Sequence, residues 1–352
     1  MLDQEKYCLF YLKNIHGLKE SLLWNYLRDG FLPSELLQQP PKEISQLINS
    51  AKQNKQSDAK IRQEFPPYQN AVSILDDNYP ELLKTIFDPP LFLFHQGNLD
   101  LLKSEYLLTI VGSRTLTQYH QATLNSLIKD LANTPIIIVS GLAYGIDALA
   151  HSAALDNNLP TIAVLGSGFD DNVLYPRQNL NLAKKIITAN GLILSEYPPS
   201  TKGAVYQFPK RNRILAGLSR CTMVISGAKK SGTLITAQCA LDNGREVYAL
   251  PGNINLTLSQ GPNNLIEQGA NILLTSANIL QIYDLATNKT EMTIKLDSQQ
   301  NQVYQLLKIQ AHTLEQLQTQ TKLDFQIVQQ LVAQLELMNL ARLNKFNQIE
   351  II

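Results

Sequence analysis

The chain is poor in the residues that staple or metallate small proteins. Its three cysteines, Cys8, Cys221 and Cys239, show neither metal spacing nor an even disulfide framework, and read as small buried side chains. Five scattered histidines (His16, His95, His120, His151 and His312) give a zinc site little to stand on, and no cofactor is expected. No apolar run approaches the ~20 residues of a membrane span, and the N-terminus lacks a basic-then-apolar signal pattern. The expectation is a cytoplasmic protein with no membrane partner. Neither G-x-G-x-x-G after the first strand nor G-x-x-x-x-G-K-[ST] anywhere is present, which disfavours dinucleotide binding and P-loop ATP hydrolysis. Net charge is missing too, because 30 basic and 30 acidic residues cancel.

The cancellation is uneven. Between Glu196 and Asp242 there is no acid, while Lys202, Lys210, Arg211, Arg213, Arg220, Lys229 and Lys230 are all basic. An unneutralised positive field beside glycine- and hydroxyl-bearing segments suits a polyanion, above all nucleic acid. The competing reading is that acids from elsewhere in the fold balance these charges in space.

A chain of 352 residues is long enough for two or three domains. Residues 1–70 read as a helical domain of SAM or helix-hairpin-helix type, with Leu9, Leu12, Ile15, Leu18, Leu22, Leu23 and Tyr26 at helical spacing. The turn Leu12–Leu18 could grip a DNA backbone through helix N-terminal amides, or could be a purely structural cap. After a turn-rich connection from Asp76 to Pro90, short apolar strands alternate with helices. Strands at Leu107–Val111, Ile136–Val139, Thr161–Leu165, Leu192–Leu194, Thr222–Ile225 and Val247–Leu250 predict an α/β, Rossmann-like parallel sheet covered on both faces, over 71–287. A polar linker is expected near Asn288. Apolar spacing then persists through twelve glutamines between Gln299 and Gln334, giving three helices and a short hairpin, the pattern of a winged helix over 294–352.

In an open parallel sheet, ligands collect at the carboxyl ends of the strands. Those ends run into Gly112-Ser113-Arg114, Ser140-Gly141, Gly166-Ser167-Gly168 and Ser231-Gly232-Thr233. Glycine admits a phosphate to the backbone, hydroxyls donate, and a following helix offers free N–H groups. Arg114 enters this rim, Arg177 follows Tyr175-Pro176, and Arg211 and Arg213 flank Asn212. Arginine can fork onto phosphate, whereas Lys210 acts as a point charge. Phe208 and Tyr206 offer stacking faces for unpaired bases; core packing is an equal alternative for Phe208 and the favoured one for Tyr206. Asp147 and His151 share a helical face, but with no identifiable nucleophile they read as structural. Glu196, after a strand end, likewise has no identifiable partner for a general-base role.

The ordered segments Ile110–Arg114, Ser140–Asp147 with His151, Tyr175-Pro176, Ser195–Tyr197, Phe208–Ile214, Ser231–Ala237, Pro251-Gly252 and Gly261–Ile266 with Gly269-Ala270 closely resemble the DprA/Smf family. The resemblance implies a Rossmann-like core that binds single-stranded DNA without chemistry, protects it during natural transformation and loads the recombinase RecA. It also implies a homodimer formed through that core. By the same resemblance, Arg114, Arg177, Lys210, Arg211 and Arg213 are expected as phosphate contacts. Gly112, Ser113, Ser140, Gly141, Ser231, Gly232 and Thr233 are expected as backbone and hydroxyl donors, with Phe208 and Asn212 in the same DNA site. Two departures stand out: Ser226-Gly227 where the family usually has Glu-Ala, and His120 where a glycine is common. The first removes an acid from the basic window; the second touches a helix-start turn. In the resulting picture the window forms two loops at one sheet edge, facing Arg114 and Arg177, with Lys202, Arg220, Lys229 and Lys230 as background field.

Two other readings compete. One is a lysine-decarboxylase-like nucleotide phosphoribohydrolase, although Thr236 stands where that group carries an acid. The other is a winged-helix regulator of duplex DNA, although its last helix has few basic residues.

Overall fold

A computed structural model describes residues 2–54, 60, 61, 63–285, 296–338, 340–344 and 347–351. The chain divides into two compact units, Met1–Thr287 and Asn288–Ile352. The expected linker at Asn288 lies outside the described residues.

The first unit is built on nine strands: β1 (Val72–Ser73), β2 (Phe92–Gly97), β3 (Leu107–Val111), β4 (Ile137–Ser140), β5 (Thr161–Leu165), β6 (Leu192–Ser195), β7 (Cys221–Val224), β8 (Glu246–Ala249) and β9 (Asn271–Ile272). Their order in the sheet is β1-β2-β6-β5-β4-β3-β7-β8-β9. All pairings from β6 to β9 along this order are parallel. The sheet is not wholly parallel, because β2 runs antiparallel to β6 and β1 antiparallel to β2.

The central strands are apolar throughout because both faces are covered. Along β3, Leu107 and Val111 join one core and Leu108 and Ile110 the other, as the two-residue period of a strand requires. One face packs under the helices Gln207–Leu218 and Gly232–Asp242, the other under Gln118–Asp130 and Ile146–Asp156. The N-terminal helices Leu2–Lys13, Glu20–Arg28, Pro33–Gln38 and Lys42–Gln53 share the first core. Phe10 meets Tyr68 at 4.4 Å and Phe92 of β2 at 6.4 Å between ring centroids. These helices are therefore docked on the antiparallel edge that the apolar pattern did not mark.

One expectation is corrected by the fold. The segment Phe208–Arg213 is not a loop; it forms the first turns of the helix Gln207–Leu218. Thr109 of β3 fixes this helix from below, its hydroxyl lying 2.7 Å from the Leu215 carbonyl and 2.7 Å from Ser219 Oγ.

The second unit contains helices Ser298–Ile309, Leu314–Thr321 and Phe325–Leu337, followed by β10 (Ala341–Leu343) paired antiparallel with β11 (Ile349–Ile351). Asp297, Thr313 and Asp324 cap the three helix starts by accepting from backbone N–H groups. Val303, Leu307, Leu317, Val328 and Leu335 form its core.

Candidate nucleic-acid interface

Strand β3 pairs with β4 on one side and β7 on the other, so the strand order reverses at β3. A crevice outside the carboxyl ends at such a reversal is where open α/β sheets bind ligands. A cleft of about 680 Å³ lies there. Its walls are Gly112, Ser113 and Arg114 from the end of β3, Ser231, Gly232 and Thr233 at the start of the helix Gly232–Asp242, and Phe208, Arg211 and Asn212 from the helix Gln207–Leu218. Val111, Tyr175, Val205, Leu215 and Ile235 add apolar lining. Gly141 and Pro176 line a smaller adjoining hollow that shares Arg114, Tyr175, Phe208 and Arg211 with the cleft.

The arginines of the basic window do not share one environment. Arg211 is 6% exposed and points inward. Its Nη1 donates to the carbonyls of Gly141, at 2.8 Å, and of Val164, and its Nε donates to Asn212 Oδ1 at 3.2 Å. A Cβ on Gly141 would lie 2.1 Å from that Nη1, so only glycine lets the guanidinium reach the strand ends. Burial raises the Asp147 carboxyl above its ordinary range, against the pull of Arg211 and the amides of Ala143 and Gly141. Asn212 completes the network by donating from Nδ2 to the Gly232 carbonyl at 3.3 Å.

Arg213 is engaged elsewhere. Its Nη2 donates to Glu196 at 2.6 Å and its Nε to Asp88 at 3.1 Å, while Lys210 Nζ stands 3.3 Å from the same Glu196. The Glu196 side chain is only 3% exposed. Arg220 pairs with Glu105 at 2.8 Å. Acids from outside the window thus neutralise Lys210, Arg213 and Arg220, as the competing electrostatic reading held. Glu196, with no partner identifiable in the sequence, is the hub of this ion-pair cluster.

What remains open to solvent is different from the expected set. Arg114, Lys202, Lys229 and Lys230 are exposed and form no ion pair among the described residues. Arg177 is exposed as well, at the start of the short 3-10 turn Arg177–Asn179, and is not among the residues lining the cleft. Ser140 is fully buried and its hydroxyl donates to the Ile110 carbonyl at 2.7 Å, which removes it from the rim. Phe208 lies 5.4 Å from Tyr175 between ring centroids and covers Gly166, where a Cβ would come within 2.8 Å of the Phe208 ring. Tyr206, for which core packing was favoured, is instead 70% exposed, because residues before Gln207 leave the helix and run over the surface. Lys202, Lys229 and Lys230 were legible as charge; they adjoin Gly203 and Ser231 of the cleft wall in sequence but, like Arg177, are not among the residues lining it.

Asp147 is engaged by Arg211 and the amides of Ala143 and Gly141, and His151 is tied to the start of β5. The Thr161 hydroxyl donates to the Ile138 carbonyl at 2.8 Å, so His151 Nδ1, 2.7 Å away, is the donor to Thr161. His120 lies in the first turn of Gln118–Asp130, its N–H donating to Thr117 Oγ1 at 3.3 Å and its side chain buried.

Comparison with known proteins agrees with this architecture. The family model for DNA recombination-mediator protein A matches residues 70–284. The DNA processing protein DprA of Bacillus subtilis is 37% identical over 287 residues, 80% of this chain and 96% of the relative. That of Streptococcus pneumoniae is 43% identical over 227 residues, 64% of this chain and 78% of the relative. The solved Streptococcus pneumoniae structure superposes with a TM-score of 0.65, covering 78% of this chain and 95% of that one at 37% identity. DNA processing protein A of Helicobacter pylori, a structure described for its single-stranded DNA binding mode, gives 0.54 at 30% identity, covering 61% of this chain and 96% of that one. The chain therefore belongs to the DprA/Smf family of DNA recombination-mediator proteins.

Proposed function

We propose that this protein binds single-stranded DNA in the cleft between β3 and β7, without chemistry, and acts as a recombination mediator. The observation that carries the reading is Arg114, an exposed cation of the cleft wall with no ion pair among the described residues, beside an apolar and aromatic interior. The exposed Lys202, Lys229 and Lys230 adjoin the wall residues Gly203 and Ser231 in sequence and extend the positive field. Cations at the mouth meet phosphates, and the Phe208–Tyr175 wall takes base faces irrespective of sequence. The amides at the start of Gly232–Asp242 add a partial positive charge on the same side. The single-stranded DNA binding described for the Helicobacter pylori relative supports this reading.

Within this reading the protein protects incoming strands during natural transformation in the cytoplasm and delivers them to RecA. It does so as a homodimer formed through the Rossmann-like core. The carboxyl-terminal helices and hairpin act as a winged helix that takes a protein partner rather than duplex DNA. Their surface is dominated by glutamine, and Arg342 is paired with Glu350. The phosphoribohydrolase alternative is disfavoured because Thr236 occupies the acid's place in the cleft wall and Asp147 is committed to Arg211 and loop amides.

A titration of labelled oligo-dT and of a matched duplex across salt concentrations tests the proposal. Tighter binding of the single strand is expected. Preference for the duplex, or release of free base from a nucleoside monophosphate, would point to one of the alternatives.

A further inference from the structure

Ser226 sits just beyond β7, fully buried, and its hydroxyl accepts the Ser113 N–H at 3.0 Å. That bond joins the end of β7 to the turn that follows β3. The next residue is clasped from the opposite side. Gly227 N–H donates to the Leu258 carbonyl at 2.7 Å, and its own carbonyl accepts from Gly261 N–H at 2.8 Å. A Cβ on Gly227 would lie 2.8 Å from Ser231 Oγ, a hydroxyl that is buried and has no partner among the described residues. The Gly112-Ser113-Arg114 turn is otherwise held at its far side, where the Ile146 N–H donates to the Ser113 carbonyl at 3.1 Å. Gly145 passes directly beneath, and a Cβ there would meet the Ser113 carbonyl oxygen at 2.2 Å.

We infer that Ser226 is a positioning residue for DNA binding, fixing the Ser113 amide so that Arg114 stands across the cleft from Ser231–Thr233. The inference rests on the single-stranded DNA reading of the cleft. Serine suits the task because it accepts the amide hydrogen without placing a negative charge under a phosphate site. Gly227 complements it by leaving room for the Ser231 hydroxyl at the start of the helix. Ser226 contacts no ligand itself and acts through the turn it holds.

The test is a double-mutant cycle on the full chain, reading oligo-dT affinity by fluorescence anisotropy for wild type, S226A, R114A and the double variant. S226A is expected to weaken binding about 3- to 10-fold, the worth of one hydrogen bond. The slope of log K against log salt should stay as in wild type, because the same phosphates are still met. The double variant should bind no more weakly than R114A alone, since the serine works through the arginine. Wild-type affinity in S226A, or effects that multiply in the double variant, overturns the inference. If S226A melts below the assay temperature, S226C, similar in volume but a weaker acceptor, carries the same cycle. Failure of the wild type to bind oligo-dT at all removes the underlying reading, and this inference with it.

Discussion

Gly141 and His151 show how single buried residues secure the strand ends and helices around the cleft. A methyl at Gly141 would sit 2.1 Å from a buried guanidinium nitrogen and displace Arg211 from two carbonyls. G141A is therefore expected to cost about 2–4 kcal/mol of stability, combining overpacking with a broken buried hydrogen-bond network, as read from urea denaturation. His151 supplies a pH signature. Burial, with Arg211 acting in the same direction, lowers its imidazole from 6.5 to about 3. Below pH ~6.5 the unfolded chain takes up a proton that folded His151 refuses, so stability falls as the pH drops from there towards 3. Burial lowers His120 and His95 as well, and they add to the slope in the same sense. The urea midpoint of H151Q should decline less steeply over that range; parallel declines in variant and wild type would remove His151 as a cause.

Among the elements, the helix Gln207–Leu218 decides which cations are free. Arg213 and Glu196 are nearly buried together, so R213A leaves a carboxylate with reduced compensation and is expected to destabilise by about 3–5 kcal/mol. K210A removes a partly exposed partner and should cost about 1 kcal/mol or less. Equal costs for the two would contradict the asymmetry seen here. The contrast also marks what could be read from the sequence. Strands β3 to β8 were legible, because runs such as Leu107–Val111 are apolar on both faces and end in glycine or serine. The helix was not, because Pro209 and three cations interrupt its apolar period. Pro209 is tolerated in the first turn, where its missing N–H is not needed. Nor could the sequence show that Arg213 is neutralised by Asp88, 125 residues away. The rim loops were recognisable from Gly112-Ser113-Arg114 and Ser231-Gly232-Thr233. Which cations face outward depended on acids that only the fold brings in.

For the molecule as a whole, every residue lining the cleft lies within Met1–Thr287, one of the two compact units. A chain ending at Thr287 is therefore expected to keep the oligo-dT affinity of the full chain, with any deficit confined to delivery to a protein partner. A large drop in affinity on truncation would assign DNA binding to the carboxyl-terminal unit. The proposed function divides the cations: exposed ones would meet phosphates, while Arg211 is held by the carbonyls of Gly141 and Val164 and Arg213 by Glu196 and Asp88. The salt dependence of oligo-dT binding tests it most directly. Removing one cation that meets a phosphate should flatten the slope of log K against log salt by about 0.7, so R114A is expected to show one such step and R114A/K229A/K230A about 2 in all. A correctly folded triple variant with wild-type affinity and slope would contradict the account.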